Sequence, residues 1–111
     1  MARHLQVFVT FPGAADAERA ARMLVDRRLA ACVQVIGPIA STYRWQGRVE
    51  TAREWLCLAK TDEQRWPGLV AAVEADHPYD TPEVIALPIT GGSARYLAWL
   101  DSSLAGDDAG A

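Results

Sequence analysis

Between Ala30 and Lys60 the sequence describes one extended ribbon folded once on itself, and that ribbon is longer than a chain of 111 residues can cover. Alternating residues run from Ala30 to Trp45. They are interrupted at Gly37-Pro38 and resume at once, so that pair marks a bulge or bend rather than a strand end. Gln46-Gly47 reads as a two-residue hairpin turn, and Arg48 to Lys60 is the return strand. Each arm exceeds the usual five or six residues of a strand. A small domain cannot bury both faces of such a hairpin, and Tyr43, Trp45 and Trp55 make a bare solvated flap a poor description of it. The hairpin therefore predicts an oligomer.

The flanking segments complete a simple order. His4 to Phe11 alternates and predicts a strand, closed by Pro12-Gly13. Ala14 to Arg28 switches to helical spacing, with Ala17, Ala20, Ala21, Leu24 and Val25 on one face. Asp16 and Glu18 fall in its first turn, and Arg27 and Arg28 are expected in its last, as the helix dipole prefers. Thr61-Asp62-Glu63-Gln64 matches a capping box, and Trp66, Leu69, Val70 and Val73 form a helical stripe behind it. Pro67 conflicts with a helix starting at Thr61 and predicts a loose opening turn. Glu83 to Ile89 is a continuous apolar strand of the kind expected at a central position. Gly91-Gly92 breaks it, Ser93 can cap, and Ala94 to Leu104 is a final helix. The sum is an α+β fold of the ferredoxin-like βαββαβ type. It has an antiparallel sheet, a long β2–β3 hairpin and an extra C-terminal helix. One domain spans residues 1–104, and 105–111 reads as a disordered tail.

Composition narrows the partners. Half of the residues are hydrophobic and 23% are charged, which suits a folded domain. Net charge is -3 and the arginines are scattered, so no nucleic-acid footprint is expected. No apolar run is long enough to span a bilayer. Met1-Ala2-Arg3-His4 leads straight into a strand pattern without the apolar stretch of a signal peptide, which predicts a cytoplasmic protein. Cys32 and Cys57 are too few for a disulfide scaffold.

Chemistry is sparse. There is no Gly-x-Ser-x-Gly, phosphate loop, dinucleotide fingerprint or Cys-x-x-Cys, so no enzyme is expected. Gly91-Gly92-Ser93 can hold an anion at a helix start, but a Ser-capped turn explains it as well. Pairing the hairpin through Gln46-Gly47 sets Tyr43 opposite Glu50 and Trp45 opposite Arg48. Continuing by twos adds Glu54 and Lys60 to the same face. Tyr43, Trp45, Glu50, Glu54 and Lys60 then line either a subunit contact with cross-strand ion pairs or a polar cleft between subunits. Cys32 and His77 are the soft metal-ligand candidates, the imidazole on backbone stiffened by Pro78. Each has a plain alternative, as a buried thiol and as the end of a turn.

Several motifs, in order and spacing, resemble the CutA divalent-cation tolerance family. They are Leu29-Ala30-Ala31-Cys32-Val33; Tyr43-Arg44-Trp45-Gln46-Gly47 with Glu50 and Glu54; Lys60-Thr61; and His77-Pro78-Tyr79-Asp80-Thr81-Pro82-Glu83. Leu87-Pro88-Ile89 and Tyr96-Leu97-Ala98-Trp99-Leu100 extend the likeness over Leu5 to Leu104. The resemblance implies a ferredoxin-like subunit in a homotrimer joined by the long hairpins and the last strand, similar to PII-type signal proteins. It also implies binding of divalent cations, chiefly copper, with Cys32 and His77 at the family's cysteine and histidine. Val9 stands where some members carry a further cysteine, and Cys57 matches no family ligand. The expected function is thus metal-ion tolerance by a trimer without catalysis. The alternative is a PII-like signalling or scaffold module that takes a small anionic ligand or a protein at the inter-subunit cleft.

Overall fold

The computed structural model describes residues 4–106. Three helices and four strands follow the expected order: β1 (His4–Phe11), α1 (Ala14–Asp26), β2 (Cys32–Trp45), β3 (Arg48–Asp62), α2 (Trp66–Asp76), β4 (Val84–Pro88) and α3 (Ala94–Ala105). The sheet order is β2-β3-β1-β4, antiparallel throughout. Pleat alternation sorts its residues cleanly. Val7, Val9, Phe11, Cys57 and Ala59 lie buried under α1 and α2 with Ala17, Ala20, Leu24, Leu69 and Val73.

The hairpin is as long as its pattern demanded, with β2 of 14 residues and β3 of 15. Gln46 and Gly47 both have positive φ, 50° and 79°, the condition for a type I′ turn. The pairing register slips once, between Ile36 and Ile39, so Gly37-Pro38 is the bulge. Only glycine fits there, because a Cβ at Gly37 would collide with the Trp55 indole.

Four expectations change. Helix α1 stops at Asp26, leaving Arg27 and Arg28 outside its last turn. Instead Arg28 takes φ 56° while its N–H donates to Val25 O and that of Leu29 to Leu24 O, a Schellman closure with arginine where glycine is usual. The capping box does not form, since Thr61 and Asp62 still belong to β3. The Thr61 hydroxyl donates to Leu29 O (2.7 Å), and Asp62 Oδ1 accepts from Arg65 N (3.0 Å) in the turn ahead of α2. That later start puts Pro67 in the first turn, where its missing N–H is harmless. Strand β4 is an edge, not a central strand, and Ile85 and Leu87 are half exposed. Its apolar run thus reports a second face left uncovered in the single subunit. Finally, α3 includes Ala105 and is closed by Gly106 at φ 87°; the rest of the expected tail lies outside the described residues.

Helix α3 crosses the end of the sheet where β1 and β2 begin. Leu100 and Leu104 pack on Ala31. Two guanidinium groups hold its last turn, Arg28 donating to Ser103 O (2.7 Å) and Arg65 to Leu104 O (2.9 Å), where cations suit the helix dipole. His4 Nε2 lies 2.7 Å from Asp101 Oδ1. Ser93 caps the start by accepting from Tyr96 N (3.4 Å), the plainer of the two readings of Gly91-Gly92-Ser93.

Candidate functional site

The expected hairpin pairs are present, Tyr43 with Glu50 and Trp45 with Arg48. Strand β3 has no slip of its own, so Glu50, Glu54 and Lys60 share the face turned away from α1 and α2. They do not form one site. Glu54 and Lys60 stand six residues apart on one strand, about 20 Å at ~3.3 Å per residue. The sheet face therefore carries two polar clusters, one at each end.

At the hairpin end, the segment after α2 folds over the finish of β1. His77 stacks on Phe11, ring centroids 4.5 Å apart. Its Nδ1 accepts from Tyr79 N (3.0 Å), which leaves the ring proton on Nε2 to be donated to Thr10 O (2.7 Å). Both nitrogens of the neutral imidazole are thereby in use. The turn delivers Tyr79, whose hydroxyl donates to Glu54 Oε2 (3.0 Å). Glu54 is only 7% exposed. Burial first, then the hydrogen bond to Glu54 and the Glu54 charge, push the Tyr79 phenol up to about 12, with Tyr43 adding a smaller share. Tyr43 and Trp45 continue this patch outward, both exposed.

At the helix end, Cys32 pairs directly with Lys60 across β2 and β3, and Lys60 with Gln6 across β3 and β1. Lys60 Nζ donates to Gln34 Oε1 (2.6 Å). Tyr96 reaches over from α3, and its phenol sits above its ordinary value, mainly through burial and then through the neighbouring Cys32. Cys32 is half-buried. Cys57, by contrast, is wholly buried and donates to Ala17 O (3.5 Å), and burial pushes its thiol up to about 11. It is a core residue.

Cys32 and His77 consequently do not meet within one subunit. Cys32 aligns with Gln6 through Lys60, whereas His77 holds Thr10 at the other end of β1, about 13 Å along the strand. Among the described residues no three or more His, Cys, Asp or Glu side chains gather as a metal ion would need. The single subunit is thus not a preformed transition-metal site. Within one chain no ion can touch both residues, and both His77 nitrogens already have partners. Sequence reasoning missed Tyr79 and Tyr96 as site residues. Tyr79 lies inside the run from His77 to Glu83, but nothing in the spacing shows that a phenol reaches back to β3. No helix among the described residues is long and apolar enough to cross a membrane.

Together these features define a ferredoxin-like α+β subunit with an overlong hairpin, an appended helix and an uncovered sheet face. The model of the CutA1 divalent ion tolerance protein family matches residues 5–103, and the chain belongs to that family. It is 46% identical over 94 residues to the divalent-cation tolerance protein CutA of Thermus thermophilus, covering 85% of this chain and 91% of that one. It is 45% identical over 97 residues to the chloroplastic protein CutA of Arabidopsis thaliana, covering 87% of this chain but 53% of that one. The chain thus spans about half the length of the plant relative. Among solved structures, CutA1 from Oryza sativa superposes with a TM-score of 0.89 at 44% identity, covering 91% of this chain and 93% of the other.

Proposed function

We propose that this protein acts in divalent-cation tolerance as a cytoplasmic homotrimer that binds copper and catalyses no reaction. The observation that carries the self-association is the apolar sheet face with its projecting hairpin. Ile36, Ile85 and Leu87 are each about half exposed there, and Trp45 and Val49 stand out at the tip. Patches of this kind mark contact surfaces. The names of its relatives support the metal role. Copper is among the soft ions that suit a thiol ligand, and it is cargo here rather than a resident cofactor. Cys32 is the anchoring ligand in this reading, since its thiol reaches the open face. His77 joins it from a neighbouring subunit by exchanging its contact with the Tyr79 amide for the ion.

Light scattering on the eluting protein should return three chain masses. Isothermal titration with copper should show binding that Cys32→Ser abolishes and His77→Ala weakens. Copper binding unchanged in the double variant would overturn the site, and a monomeric protein would overturn the assembly.

A further inference from the structure

The open face of the sheet has opposite charge at its two ends. Its middle is apolar, formed by Phe8, Ile36, Leu56, Leu58, Ile85 and Leu87, and among the described residues no helix covers it. At the helix end stands Lys60, the only lysine in the chain. Its one hydrogen-bond partner among the described residues is the neutral Gln34 amide. At the hairpin end stands Glu54, 7% exposed, whose one such partner is the neutral Tyr79 hydroxyl. Neither has an ion-pair partner among the described residues. A carboxylate so far removed from water, held by a single hydroxyl, is normally matched by a cation. Lys60 of the same chain lies about 20 Å away along β3 and cannot supply it.

A ring of identical subunits needs two different patches that complement each other, because each contact joins one patch to the other. This face has such a pair. We propose that in the assembly the Lys60 ammonium of one copy pairs with the Glu54 carboxylate of the next. The apolar middle is sealed around the pair, and Tyr79 fixes the carboxylate to receive it. This rests on the homotrimer reading above and says which groups set its register. Sealing one charge without the other would leave an uncompensated ion in an apolar interface, so the pair also selects against other alignments of the two faces.

The single lysine makes a direct test possible on the unaltered protein. A water-soluble carbodiimide joins an amine to a carboxylate in contact with it. An amide forms between Lys60 Nζ and the Glu54 carboxyl while the carbodiimide takes up the elements of water as its urea. The expected result is covalent dimer and trimer on a denaturing gel, with tandem mass spectra placing the link between Lys60 and Glu54. Lys60→Arg keeps the charge but not the reactive amine. It should keep the native mass of the assembly while the covalent species disappear. A trimer whose Lys60 links to another carboxylate, or to none, overturns the pairing and leaves the trimer standing. A monomer by light scattering overturns the pairing and the trimer together.

Discussion

The two ends of the open sheet face each carry one soft-ligand candidate, one phenol and one charged side chain, but hold them differently. At the hairpin end the imidazole, the phenol and the carboxylate form a closed chain from Thr10 through His77 and Tyr79 to Glu54, so each side chain is committed to folding. At the helix end Cys32, Lys60 and Tyr96 sit on a half-buried surface where only Lys60–Gln34 is tightly made. A hydrogen-bonded chain in a protected position stabilises a fold, and loosely held groups on an accessible face are available to a ligand or partner. Of the two soft-ligand candidates, the histidine is thus bound into the fold of the chain and the cysteine is the less committed one.

Variants can break this contrast. The largest effect is expected for Leu100→Ala, which removes the fully buried anchor of α3 and should lower stability by about 3 kcal/mol in urea unfolding. If α3 is what presents Tyr96 to Cys32, alkylation of Cys32 should also quicken while the hairpin end is unaffected. His77→Ala removes two hydrogen bonds and a ring stack, and without any metal present should cost roughly 2 to 3 kcal/mol. A variant as stable as the parent would mean that His77 is held for a ligand rather than for the fold. Tyr79→Phe leaves Glu54 without its hydroxyl and should cost about 1 kcal/mol by the same measurement. An alkaline effect is expected as well. Folding raises the Cys57 thiol from 9.0 to about 11, so the stability it contributes is complete below pH 9 and fades as pH rises towards 11. Urea midpoints measured across that range should fall, and less so in Cys57→Ala. Cys32→Ser should change stability by less than about 0.5 kcal/mol, since the site is half-buried and a hydroxyl can replace the thiol beside Tyr96.

Much of this architecture is legible in the sequence, because period-two and period-3.6 patterns are enforced by the same burial that builds the core. The hairpin register follows from Gln46-Gly47 alone, and β1 and the bulge fall where alternation and Gly37-Pro38 place them. Local rules failed where tertiary contacts outbid them. Thr61 has the spacing of a helix cap, but its hydroxyl goes to Leu29 O, and β3 runs on through Asp62. The apolar run of β4 implies two covered faces, yet one chain covers only one. The site was half legible. Period-two counting put Glu54 and Lys60 on one face but says nothing of the length between them. Contacts from distant segments, such as Tyr79 to Glu54 and Tyr96 to Cys32, leave no trace in local spacing.

The hydrogen bond from Cys57 to Ala17 has a practical side. That thiol lies where β3 meets α1, sealed from solvent, whereas Cys32 lies half-buried on the opposite face, beside Lys60. A single alkylating reagent therefore runs two clocks in the same tube. The quick one reads the open sheet face and whatever covers it, and the slow one ticks only when strand and helix part. Their ratio measures how often the core breathes, without any label being engineered into the chain.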